Sequence, residues 1–311
     1  MGLPSSGKSC YLGVAVGFMC RYKLYDIVNM NRDLSRLSET IEDDMKAGKW
    51  VGKTTGLTEY RFTKRGSLFD TEYILHDWNG EYFRLLGLDE EHASVEWNKA
   101  QEKINGQIVK EDDLRKLYEA DCREADAILL FIDGKTLIEK ADDGESEKKR
   151  TRESLYTLVE ILRKSKKRRV ISIALTKSDY LENYGEFLDA NRKINAKKVE
   201  DCLRSNYNAT FSEIASAGHK VHVSLVSCIP VREHRSSLSG RGAVPNEGWS
   251  FDVLKESNVN MSGVDMPDDV RKMIKMIISM PFSGFLFSSL LAGENMPNDM
   301  LAPIRWVIEN V

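Results

Sequence analysis

The 311-residue sequence predicts an α/β fold, a three-layer, doubly wound and mostly parallel sheet with helical insertions. Three observations carry this. Residues 127–133 (AILLFID), 170–176 (VISIALT) and 221–227 (VHVSLVS) are short apolar runs, as expected of strands buried on both faces. Helical stretches alternate with them: Leu155, Leu158, Val159 and Leu162 form a stripe between the first two, and a polar helical region fills 186–217. Residues 2–9 (GLPSSGKS) fit G-x-x-x-x-G-K-[ST], a glycine-rich turn leading from a strand into a helix.

Taken in order, residues 8–22 read as the helix that opens at this turn, and the polar stretch 31–48 as an inserted helix. TEYRFTK (58–64) and TEYILHD (71–77) alternate in hydrophobicity around a turn holding Gly66, which predicts a hairpin. Residues 81–125 are charged and read as helical, a second insertion. The acidic run 142–147 and the basic cluster Arg163, Lys164, Lys166, Lys167, Arg168 and Arg169 suit the two ends of one helix, where its dipole favours those signs. The Gly- and Ser-rich loop 232–265 has no assignment. The apolar stretch 273–292 carries Lys275, Pro281 and Gly284 and reads as a buried helix and loop, not a membrane span. The expected division is a nucleotide-binding domain at 1–228 and a C-terminal extension at 229–311, ending in a last helix and packed on the same domain. Only Met1 precedes the glycine-rich turn, so the first strand is expected to be missing from the sequence, with 282–292 as a conceivable filler of its place.

Composition narrows the function. With 41% hydrophobic and 30% charged residues the chain can build one sizeable core. A net charge of −3 and a pI near 6.1 give no global basic field, which argues against nucleic acid as partner. Five cysteines, odd in number and without C-x-x-C spacing, read as reduced thiols of a cytoplasmic protein. An apolar run at 10–20 lacks the cleavage site of a signal peptide, and the M-G-L-P-S-S start is already explained by the glycine-rich turn.

The polar motifs fall where strands end. In the glycine-rich loop, backbone N–H groups of Gly2, Ser5, Ser6, Gly7 and Cys10 are candidates to surround phosphate oxygens. Lys8 would reach the terminal phosphates and Ser9 would ligate Mg²⁺; Pro4 removes one N–H from the cradle. Asp77-Trp78-Asn79-Gly80 gives D-x-x-G at the end of the hairpin: Asp77 can hold Mg²⁺ through a water, and Gly80 lets backbone approach a γ-phosphate. Thr176-Lys177-Ser178-Asp179 gives [NT]-K-x-D. The Asp179 carboxylate can accept from guanine N1–H and its exocyclic amine, which adenine cannot match, while Lys177 lays its stem along the base. Ser227 and Cys228 could offer backbone N–H to guanine O6, and either Thr54 or Thr55, the latter nearer the strand, could complete the Mg²⁺ shell. Ligands of open α/β sheets bind outside such strand ends.

With these motifs in this order, the sequence resembles the translation-factor and Ras-like class of P-loop GTPases. It looks most like the bacterial double-GTPase group, on GLPSSGKSCYL, AGKW followed by Thr54-Thr55, the hairpin ending in DWNGE, and ADAILLFID. The resemblance implies sheet order 2-3-1-4-5-6, GTP/GDP and Mg²⁺ as cofactors, mobile segments near 49–57 and 77–90, and a protein partner or second domain that reads those segments. Two departures bear on activity. Thr176 stands where Asn is usual. Glu81 stands where many Ras-like enzymes have a water-orienting Gln; it could position water or act as base, yet would also repel the γ-phosphate, which implies slow hydrolysis. Lys8 and Glu81 are the candidate catalytic residues, with Arg61 and Arg65 as candidate cations. The expected function is a slowly hydrolysing GTP switch. Two alternatives are a P-loop ATPase or kinase with Asp133 as the Mg²⁺ acid, and a degenerate, non-hydrolysing GTPase-fold scaffold.

Overall fold

A computed structural model describes residues 1–21, 24–47, 57–88, 101–104, 107–139, 146–165, 167–226, 231–232, 244–245 and 300–311. Among them are eight α-helices: α1 (Lys8–Arg21), α2 (Arg32–Lys46), α3 (Gly80–Leu86), α4 (Glu111–Glu124), α5 (Glu147–Lys164), α6 (Ala196–Asn206), α7 (Asn208–Ser216) and α8 (Ala302–Asn310). The strands are β1 (Ile27–Met30), β2 (Leu57–Lys64), β3 (Thr71–Trp78), β4 (Gln101–Ile104), β5 (Gln107–Lys110), β6 (Ala127–Asp133), β7 (Val170–Thr176), β8 (Lys220–Val226), β9 (Val231–Arg232) and β10 (Val244–Pro245).

The three apolar runs form a parallel sheet ordered β6-β7-β8. Its register sets Asp133 beside Thr176 and Thr176 beside Val226, so the three strands end at one rim. Alternate residues of β6 serve different cores. Ile128, Leu130 and Ile132 join a cluster with α3, α4 and α5, whereas Phe131 joins α1, α2 and α8. Ser172, Ala174 and Ser224 are small on β7 and β8, which lets α8 lie close to the sheet. The predicted hairpin is present, with Leu57–Lys64 paired against Thr71–Trp78.

Three expectations are corrected. The single, mostly parallel sheet is two three-stranded sheets among the described residues, because β1, β2 and β3 pair antiparallel and share no ladder with β6. Met1 touches the β6 edge: its nitrogen donates to Leu129 O (2.6 Å) and its carbonyl accepts from Phe131 N–H (2.8 Å), the bonding of a parallel strand one residue long. The second correction lies before the 31–48 insertion, where β1 was not foreseen. The third is in 81–125, which is not helical throughout, since Gln101–Ile104 and Gln107–Lys110 pair as an antiparallel hairpin between α3 and α4. The filler segment 282–292, the stretch 273–292 and most of the loop 232–265 lie outside the described residues.

Helix ends follow local chemistry. Ser146 caps α5 by accepting from Lys149 N–H, and Arg163 and Lys164 occupy its last turn. Just past that end, the buried Arg169 donates to the carbonyls of Ala125 (3.0 Å), Lys167 (2.7 Å) and Arg123, so this member of the basic cluster is structural. In α8, Ile304 N–H donates to the Tyr11 hydroxyl of α1 (3.1 Å), and Tyr73 of β3 donates to Ile308 O (3.3 Å). No helix among the described residues is long and apolar enough to cross a membrane.

Candidate nucleotide site

The glycine-rich loop closes through backbone geometry. Gly2 has φ 150° and an added Cβ would lie 2.5 Å from Phe131 O, so the loop is pressed onto the end of β6 where no side chain fits. Ser6 N–H donates to Leu3 O (3.2 Å), and Tyr11 N–H to Gly7 O (2.8 Å) starts α1. The Ser6 side chain is buried and its hydroxyl has no partner among the described residues; Ser5 is exposed with φ 63°. Lys8 is buried, and its ammonium donates to Gly2 O and Leu3 O, each at 3.2 Å. Burial lowers its pKa, while the carboxylates of Asp77 and Glu81 oppose that fall. Burial pushes the Cys10 thiol up to about 12, leaving its backbone as the useful part.

Asp77, at the end of β3 and 3% exposed, accepts from the Ser9 hydroxyl at 2.5 Å. A hydroxyl and a carboxylate facing each other are the hard oxygen donors that Mg²⁺ takes, alongside phosphate and water oxygens. The pair therefore fits the ion that the motifs imply. No group of three or more His, Cys, Asp or Glu among the described residues could hold a metal by itself.

Gly80 sits against the loop: a Cβ there would lie 2.5 Å from Pro4 N and 2.8 Å from Lys8 Nζ. Asn79 accepts from Glu81 N–H (3.1 Å), which fixes the start of α3 at this point. Glu81 accepts in turn from Arg84 Nε at 2.7 Å. Arg61 and Arg65 lie on the hairpin. The Arg61 side chain pairs with Glu59 and Glu72, and the Arg65 backbone N–H donates to Asp26 O (2.8 Å).

The [NT]-K-x-D segment joins the same rim. Thr176 Oγ1 donates to Ser6 O at 2.8 Å, with Ile132 O at 3.2 Å, so one buried hydroxyl ties the end of β7 to the glycine-rich loop. Lys177 has left-handed backbone, φ 54°, and its ammonium pairs with Asp133, whose other oxygen accepts from Lys135 N–H at 3.0 Å. Asp179 lies in the 3₁₀ turn Ser178–Asn183; its side chain is outside the description, as are Thr54, Thr55, Ser227 and Cys228.

The structure thus brings together Gly2, Gly7, Lys8, Ser9, Asp77, Gly80, Glu81, Thr176 and Lys177. Sequence reasoning missed two partners. Arg84 was signalled by its i, i+3 spacing from Glu81 on a helix. The Lys177–Asp133 pair was not legible, because it depends on the register of β6 against β7.

Comparison with known proteins adds the family. The sequence profile of the Double-GTPase 2 family matches residues 1–228. Neither a search of curated proteins nor a search of solved structures found a match. The matched span contains the loop, the Ser9–Asp77 pair, the Gly80 contact and the Thr176 tie, and the α/β architecture with its parallel three-stranded sheet is compatible with a GTPase fold. The chain belongs to the Double-GTPase 2 family of P-loop GTPases, which implies that it binds guanine nucleotide.

Proposed function

We propose that this protein is a Mg²⁺-dependent GTP switch that hydrolyses GTP slowly. The observation that carries the reading is the Thr176–Ser6 bond, which fastens the base-reading segment to the phosphate loop so that both can face one nucleotide. In this reading the backbone of Gly2, Ser5, Ser6, Gly7 and Cys10 and the Lys8 ammonium hold the phosphates. Ser9, Asp77 and Thr55 hold the ion, and Thr176, Lys177, Asp179, Ser227 and Cys228 form the guanine end. Bound Mg²⁺ would neutralise developing charge on the phosphate oxygens. Gly80 would report the γ-phosphate through its N–H, and Glu81 would orient the attacking water. Hydrolysis would release the segments around 49–57 and 77–90, which a protein partner or second domain reads.

The ATPase reading needs Asp133 as metal acid. Its carboxylate is committed to Lys177 and to the Lys135 N–H, which favours the guanine reading. The 1–228 domain with a 229–311 extension, and a cytoplasmic location suited to the free thiols of Cys10, Cys20, Cys122 and Cys202, complete the proposal.

The test is a titration with GTP, GDP and ATP, with and without Mg²⁺. GTP and GDP should bind and ATP should not, and chelation should weaken GTP most. Asp179→Asn should exchange guanine for xanthine nucleotide; equal binding of ATP and GTP by the unaltered protein would remove the proposal.

A further inference from the structure

Glu81 creates a charge problem at the site. It is the second residue of α3, whose first residue, Gly80, lies against Pro4 and the Lys8 ammonium. A carboxylate so near the loop would repel the last phosphate of a triphosphate. Arg84 answers it, since its Nε donates to Glu81 Oε2 at 2.7 Å.

We propose that Arg84 is a positioning residue for the triphosphate: by holding and neutralising Glu81, it lets a γ-phosphate approach the Lys8 end of the loop. The inference rests on the GTP reading above. An i, i+3 pair on an exposed helix contributes little to stability. This pair differs in placement and rigidity. Asn79 fixes the start of α3, Tyr82, Phe83, Leu85 and Leu86 are buried, and Gly87 N–H closes the helix onto Arg84 O (3.0 Å). Arg84 therefore approaches Glu81 from a held backbone and donates to it through the guanidinium Nε.

The experiment measures GTP and GDP affinity for the full chain and three variants. Arg84→Ala should weaken GTP about tenfold, through the uncompensated Glu81 charge, and move GDP by less than about twofold. Arg84→Lys should retain most of the GTP preference. The double variant Glu81→Gln with Arg84→Ala should restore the GTP-to-GDP ratio, because it removes the charge that Arg84 offsets. Equal losses for GTP and GDP in Arg84→Ala, an unchanged ratio, or no restoration in the double variant would overturn the inference while leaving the GTP reading intact. Absence of guanine-nucleotide binding in the unaltered chain would instead remove that reading. If Arg84→Ala does not fold, Arg84→Lys and the double variant still decide the point through the same ratio.

Discussion

Thr176 performs with one hydroxyl a task that joins two loops. It is 4% exposed, and its acceptor, Ser6 O, belongs to the phosphate loop. Thr176→Val keeps the shape and removes the bond, leaving a buried carbonyl unsatisfied. The expected cost is about 1–3 kcal/mol in denaturant unfolding. GTP binding should weaken as well, since the loop loses its tie to β7; unaltered affinity in a titration would show that the loop keeps its position without it. Gly80→Ala tests the close approach directly. The new methyl would meet Pro4 N at 2.5 Å, so either α3 or the loop must shift. Overpacking of this kind costs about 1–3 kcal/mol, and GTP affinity should fall more than GDP affinity. At this scale the sequence was informative where backbone defines a motif. The spacing of Gly2, Gly7, Lys8 and Ser9 marked a turn into a helix, and the chain folds there into a turn followed by α1. Side-chain partnerships such as Lys177–Asp133 could not be read, because they arise from strands 44 residues apart.

Among elements, the hairpin β2–β3 is clasped to α4 by a polar cluster. His76 Nδ1 lies 2.6 Å from Asp121 Oδ1, Trp78 Nε1 donates to Asp121 Oδ2 at 2.6 Å, and His76 Nε2 lies 3.5 Å from Glu59. The bond to Asp121 raises the His76 pKa above its ordinary 6.5, against partial desolvation. Stability from this pair is complete below the ordinary pKa and is lost as pH rises through the folded one. The difference in unfolding midpoint between the unaltered protein and His76→Gln should therefore shrink from pH 6 to pH 8.5. A constant difference would mean that His76 acts by packing alone. The hairpin was readable because TEYRFTK and TEYILHD alternate. Strand β1 was not, since IVNM is four residues long, shows burial only at its start, and gains its partner β2 with an irregular register between Ile27 and Asn29. Strands β4 and β5 escaped for a similar reason: QEKI and QIVK mix charge with apolar residues, and their pairing with each other overrides local propensity.

For the whole molecule, the question is what joins two sheets that share no ladder. Both apolar clusters do. The first sets Trp78 of β3 with Leu130, Ile132, Ile173 and Leu175. The second sets Ile27, Tyr60 and Phe62 of the antiparallel sheet with Phe131, Ala174 and Val226 of the parallel one, around α1 and α8. This arrangement makes the phosphate loop a junction, because it lies between the sheets and is pressed onto Phe131 O. It also explains why the motifs could be read as one site before the sheet could be drawn correctly: strand ends are marked by local sequence, while strand order depends on contacts between distant segments. Phe131 is the sharpest place to probe the junction. It is 2% exposed and its ring lies 5.2 Å from that of Tyr11. Phe131→Ala should cost about 3–5 kcal/mol. Because the cluster spans both sheets, far-UV circular dichroism and tryptophan emission should report the same lowered urea midpoint. Two separated transitions, with only one moved by the substitution, would mean that the sheets are stable independently and that nucleotide binding, not apolar packing, is what couples them.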